Sequence, residues 1–126
     1  MLATVEIKKS IYRYLTNVGL KVKDTTPANT QLPYVQFGDF TMTEANTKTN
    51  KRQSYILTLH VWCVDSSGYQ FNEMLKQVLS ILDAELTIEN YELDQMDLDF
   101  FNTLKEQREH DVLSHGVVQI KFTVSN

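Results

Sequence analysis

The chain has 126 residues, 42% of them hydrophobic and 22% charged, with a formal net charge of −4 from 12 basic and 16 acidic residues. That balance suits one folded domain, residues 1–126, and not a disordered chain. It lacks the positive field on which non-specific nucleic-acid binding relies. No apolar run approaches the ~18–20 residues a membrane span needs, and the lone Cys63 excludes an internal disulfide or a zinc site built on two thiolates. Residues 1–6 show no basic stretch followed by an apolar core, so no secretory leader is expected. A reducing compartment fits the cysteine usage.

In chain order, residues 4–18 predict a helix, because Ile7, Ile11, Leu15 and Val18 recur at helical spacing and form one apolar stripe. Thr4 is the expected N-cap and Gly19 the expected left-handed C-terminal cap. A short strand over residues 20–22 precedes a turn-rich segment, 24–30. Residues 34–43 read as a strand, and residues 43–53 as an almost wholly polar connection, longer than the usual two to five residues of a hairpin loop. Residues 55–64 alternate as a strand, with Tyr55, Leu57, Leu59, Val61 and Cys63 on the more apolar face. The opposite face carries Ile56, Thr58, His60, Trp62 and Val64, too apolar to stand bare, so a loop or a neighbouring subunit is expected to cover it.

Ser67 is placed to cap a helix over residues 69–83, whose Phe71, Met74, Leu75, Val78, Leu79 and Leu82 make a broad apolar face. Residues 86–88 and 91–93 predict a short hairpin turning at Glu89-Asn90. Met96, Leu98 and Phe100 alternate with Asp97, Asp99 and Phe101 as a half-exposed strand, residues 105–111 as a charged connection, and residues 117–124 as a closing strand with Val118, Ile120, Phe122 and Val124 inward. The sum is α+β: a mainly antiparallel sheet with two helices packed on one face and a long polar hairpin loop.

Little of this forms an active site. His60 has no carboxylate or second histidine at a spacing that places one beside it, so a partly buried structural histidine is expected. His110 and His115 flank Asp111 without helical spacing or paired cysteines, which reads as a solvated connection. Cys63, with no adjacent His or Lys, reads as an inert buried thiol. Asp97 and Asp99, two apart on a strand, are expected on one face, where they form the best candidate for a cation or for acid–base work. A solvated strand face is the default for them. The four scattered glycines form no phosphate-cradling loop, and no cofactor or metal is expected.

The order of elements nevertheless resembles the tail-completion, or tail-to-head joining, proteins of long-tailed bacteriophages and prophages. The resemblance runs through Leu32-Pro33-Tyr34-Val35-Gln36-Phe37-Gly38, the polar loop, Leu57-Thr58-Leu59-His60-Val61-Trp62, the helix capped at Ser67, and the strand introduced by His115-Gly116-Val117-Val118. It covers nearly the whole chain and implies a structural, non-enzymatic virion protein in the tail at the head–tail interface, present in the host cytoplasm during assembly. Such proteins close the head-proximal end of the tail tube as a ring, commonly a hexamer, and present a docking surface to head-completion proteins. Carried onto this chain, the resemblance makes Thr43, Glu44, Asn46, Lys48, Asn50, Lys51 and Arg52 a partner-binding loop, and Ile56, Trp62 and Val64 a subunit interface. Asp97 and Asp99 become candidates for a lumen through which DNA passes without specific binding. Expected partners are a second copy of the chain, the tail-tube protein and a head-completion protein, with no membrane; the protein in solution is compatible with a monomer. Two readings from other classes stand beside it: a small metal-dependent or acid–base enzyme using Asp97, Asp99 and a histidine, and a monomeric adaptor whose edge strand pairs with a peptide.

Overall fold

The computed structural model describes residues 2–25, 30–44, 51–64 and 67–126. Helix α1 (Thr4–Asn17) is followed by β1 (Val22–Lys23), β2 (Tyr34–Glu44) and β3 (Arg52–Val64). Helix α2 (Tyr69–Leu79) runs into a 3-10 turn (Ser80–Asp83), and β4 (Glu92–Gln107) and β5 (Val112–Ser125) close the chain. The five strands lie in the order β1-β2-β3-β5-β4, antiparallel except for the short β1–β2 pairing. This is the expected α+β sheet with two helices on one face.

The periodicity that predicted the elements also decides how they pack. Along β3, Tyr55, Leu57, Leu59, Val61 and Cys63 are wholly buried beneath the helices. The same face takes Val35 and Phe37 from β2 and Val118, Ile120, Phe122 and Val124 from β5. Ile7, Ile11 and Leu15 from α1 and Phe71, Met74, Leu75 and Val78 from α2 complete one hydrophobic cluster. Each such side chain contributes about 1.5–3 kcal/mol through burial. Gly116 on β5 lets α2 approach the sheet: a Cβ there would stand 2.7 Å from Leu75 Cδ2.

Several local expectations are corrected. Thr4 does not cap α1. Ala3 holds the N-cap position, where its methyl group can make no capping bond, and its buried backbone N–H is donated to the Tyr55 hydroxyl at 2.9 Å. Tyr55 in turn donates to Gln53 Oε1, so its polar tip is satisfied inside the core. Gly19 does close α1, with φ +97; its N–H reaches Thr16 O at 3.0 Å and Leu20 N–H reaches Leu15 O at 3.0 Å, the paired bonds of a Schellman end. Ser67 is not the N-cap of α2 either: Gly68, at φ +79, holds that position, and Ser67 Oγ, one residue earlier, accepts from Tyr69 N at 3.2 Å.

The strands run longer than the sequence suggests, and the connections are correspondingly shorter. The ladder between β2 and β3 continues to Glu44↔Gln53, so Thr43, Glu44 and Arg52 lie in strands, and residues 45–50, including Asn46, Lys48 and Asn50, lie outside the described residues. The charged connection at 105–111 shrinks to the turn after Gln107, because Lys105, Glu106 and Gln107 pair with Ser114, Leu113 and Val112. Arg108 grips Asp111 there through two bonds of 2.5 and 2.6 Å. No strand forms at 86–88: the turn is present, with Asn90 at φ +69, but Ile88 is buried in the core and no ladder takes up the segment before it.

Replacing Leu59 by Ala removes a fully buried side chain from the central strand and leaves a cavity, so stability falls by about 2–5 kcal/mol. Urea unfolding measures it as a lower midpoint at unchanged slope.

Candidate functional site

The helices leave three surfaces uncovered: the outer sheet face, the β4 edge, and the flank between α1 and β2. On the outer face, Tyr34 of β2 stands opposite Trp62 of β3, Trp62 opposite His115 of β5, and His115 opposite Leu104 of β4. The His115 ring lies flat on the Trp62 indole, 3.7 Å between centroids and 7° between planes. Trp62 Nε1 donates to Gln36 Oε1 at 3.3 Å. The diagonal neighbour of His115 is His60, and their Nδ1 and Nε2 atoms are 2.8 Å apart. Gly38 admits the His60 ring, since a Cβ there would lie 2.8 Å from His60 Nε2.

Sequence spacing gave no partner to His60; strand register supplies His115. The bond between them needs a proton on one nitrogen and a lone pair on the other, so one of the two rings must be neutral. Burial lowers the pKa of His60, opposed by Asp39. His115 is lowered by burial first and then by His60, opposed by Glu106. No described residues form a group of three or more His, Cys, Asp or Glu side chains placed to hold a metal ion.

Of the expected interface residues, Ile56 and Trp62 are half-buried on this outer face, and Val64 at the end of β3 is 37% exposed. They share a strand face, on which Trp62 and Val64 are neighbours while Thr58 and His60 separate them from Ile56. Lys51 and the exposed Arg52 lead out of the β2–β3 hairpin; Arg52 Nε lies 3.5 Å from Asp94. Every β2 side chain from Thr41 to Glu44 is exposed, whereas Gln53, across the ladder from Glu44, is buried.

The surface that sequence reading missed is β4. Its register shifts between Leu93 and Gln95 and again between Leu98 and Phe100. The second bulge breaks the expected alternation: Met96 and Leu98 oppose Phe122 and Ile120, whereas Phe100 opposes the outward Gln119 and Phe101 opposes the inward Val118. Asp97 stands opposite Lys121, and Asp99 occupies the bulge. Leu98, Phe100, Phe101 and Leu104 are 43, 47, 41 and 49% exposed on a strand sixteen residues long that, among the described residues, is bonded on one side only. Long exposed apolar edges invite pairing with another chain. The tandem Phe100-Phe101, apolar on both faces of one strand, was the available signal.

A family model described as tail completion protein gp17 matches residues 11–125. The chain belongs to that family. It is a structural protein of the virion tail. No curated protein matches it in sequence. A chain in the virion of the native gene transfer agent particle is similar in structure, with TM-score 0.69 and 16% identity over 98% of both chains. The gp17 protein of bacteriophage SPP1 is similar with TM-score 0.60 and 21% identity, over 100% of this chain and 94% of that one. At these identities the two structures speak to the fold, which they share with this family member along almost its entire length.

The histidine pair sets a pH dependence. Both folded-state pKa values lie below the ordinary histidine value, so as pH falls through about 6.5 the unfolded chain takes up protons that the folded chain refuses. Stability is complete above that pH and declines below it, down to the folded values. The urea midpoint is expected to drop between pH 7 and 5, with a smaller drop for His115→Gln. An equal drop in both proteins counts against the pair.

Proposed function

We propose that this protein closes the head-proximal end of a phage tail tube as a ring and offers that ring to the head, acting by protein contact and without catalysis. The observation that carries this reading is the β4 edge, a sixteen-residue strand with four large apolar side chains in solvent, on a chain of the tail completion family. A monomer gains nothing from such an edge, whereas a subunit of an assembly covers it. The match to the family over residues 11–125 supports the same reading.

In this reading the β2–β3 hairpin is the arm that meets the next component. Its β2 arm is exposed from Thr41 to Glu44, and its connecting sequence carries Lys48, Lys51 and Arg52 among small polar residues, a composition soluble before contact and suited to an acidic partner surface. Partners are further copies of the chain, the tail-tube protein below and a head-completion protein above. Ile56, Trp62 and Val64 on the outer face are secondary candidates for contact between components.

The test is electron microscopy of tails from the phage that encodes the chain. Wild-type tails are expected to carry a ring of this protein at the head-proximal end, and tails made without it to be uncapped and headless. The double variant Lys48→Glu, Lys51→Glu is expected to keep the ring while joining of heads falls roughly tenfold, the consequence of losing about 1.4 kcal/mol at that contact. Heads joined at the wild-type frequency would remove the arm from the reading; capped, head-bearing tails in the absence of the protein would end it.

A further inference from the structure

The two flanks of the sheet carry opposite charge. Residues 83–99, from the end of the 3-10 turn through the first half of β4, hold seven acidic side chains and no Lys or Arg. Among the described residues Asp94 alone of these seven forms an ion pair, with Arg52. The opposite flank, between α1 and the β1–β2 edge, is a groove of about 560 Å³ lined by Val5, Lys8, Lys9, Tyr12, Arg13 and Phe37, with Asp24 at its rim. Lys8 is engaged there, 3.0 Å from Asp24 Oδ1 and 5.6 Å from the Phe37 ring centroid. Lys9 and Arg13 are exposed and form no ion pair among the described residues. Val5 and Tyr12 present apolar surface between them, 62 and 49% exposed.

We propose that the acidic β4 edge of one copy packs into the basic α1–β2 groove of the next copy, head to tail. This contact rests on the ring reading above and names its interface. Charge selects the arrangement. Two β4 edges paired about Leu98 would set Asp97 and Asp99 against carboxylates, and two α1 faces paired about their middle would oppose Lys9 and Arg13 likewise; like charges set together across an interface cost several kcal/mol. The head-to-tail pairing brings the cations of one copy to the carboxylates of another. It also buries apolar surface on both sides, Leu98, Phe100 and Phe101 against Val5 and Tyr12. A contact between two different surfaces of one chain is heterologous, the kind that closes rings. Asp97 and Asp99 then face a neighbour's cations and not the lumen.

A charge-swap experiment tests this. Variant one carries Lys9→Glu and Arg13→Glu; variant two carries Asp97→Lys and Asp99→Lys. Each alone sets like charges across the contact and is expected to lower ring formation on tails roughly tenfold or more. Supplied together they restore opposite charges at every contact, and capped tails return to near the wild-type number. Rescue by mixing has no explanation in misfolding. Should either variant fail to fold, the double substitution Arg13→Cys, Asp99→Cys is used instead, with oxidation expected to produce a ladder of cross-linked subunits on a denaturing gel. Either variant capping tails normally by itself, a mixture of folded variants that fails to cap, or the absence of a ladder would overturn the contact while wild-type rings remain. Wild-type tails with no ring would sink the ring reading, a distinct result.

Discussion

Burial of the inner face of β3 is the constraint on which the remainder of the molecule depends. Five alternate side chains, Tyr55 to Cys63, are wholly enclosed, and their strand is bonded on both sides, to β2 and to β5. A shift of one residue in either register would exchange this face with the one bearing Thr58 and His60, so the pattern holds both ladders in place. The helices lie over that face, and Tyr55 carries the order outward by accepting the Ala3 N–H where α1 begins. The position of α1, and with it the basic groove, follows from a tyrosine in the centre of the sheet.

The same economy leaves the rest of the sheet uncovered. Two helices of fourteen and eleven residues cover the middle of the inner face, while β4 and β5 run sixteen and fourteen residues. The overhang includes β4 from Asp97 to its end at Gln107, where every side chain is exposed. A soluble monomer normally shortens, charges or covers such an edge. Here the first half of the strand is acidic and bulged, which opposes indiscriminate pairing, and the second half opens on the tandem Phe100-Phe101. Such a strand favours a partner of opposite charge over a copy of itself, which suits a part assembled in a fixed orientation.

The outer face is divided in another way. At the hairpin end it is polar, with Ser54 beside Thr123 and Gln119 donating to Thr58. At the other end Trp62, His115 and His60 form a stacked group whose burial disfavours the charged form of both imidazoles. Nothing about that group requires catalysis. It is an ordered, half-buried patch on an exposed sheet, held flat by Gly38 below one ring and by an indole against the other.

The sequence by itself determined the α+β class, both helices, the central strand, the inward residues of β5 and the resemblance to tail completion proteins, because period and capping are local and burial of an amphipathic face follows from them. Gly19 at the end of α1 is of this kind: only its own backbone conformation was needed. What depended on distant residues was decided only by the tertiary structure. The meeting of His60 with His115 is set by a register between strands 55 positions apart. The Ala3 N–H finds its acceptor on Tyr55, 52 residues away, and the facing of Phe100 is set by a bulge that no alternation foretells. The opposition of charge between the two flanks likewise exists only once the chain is folded, since α1 and β4 lie at opposite ends of the sequence and acquire opposite sides of one sheet through the order in which the strands pair.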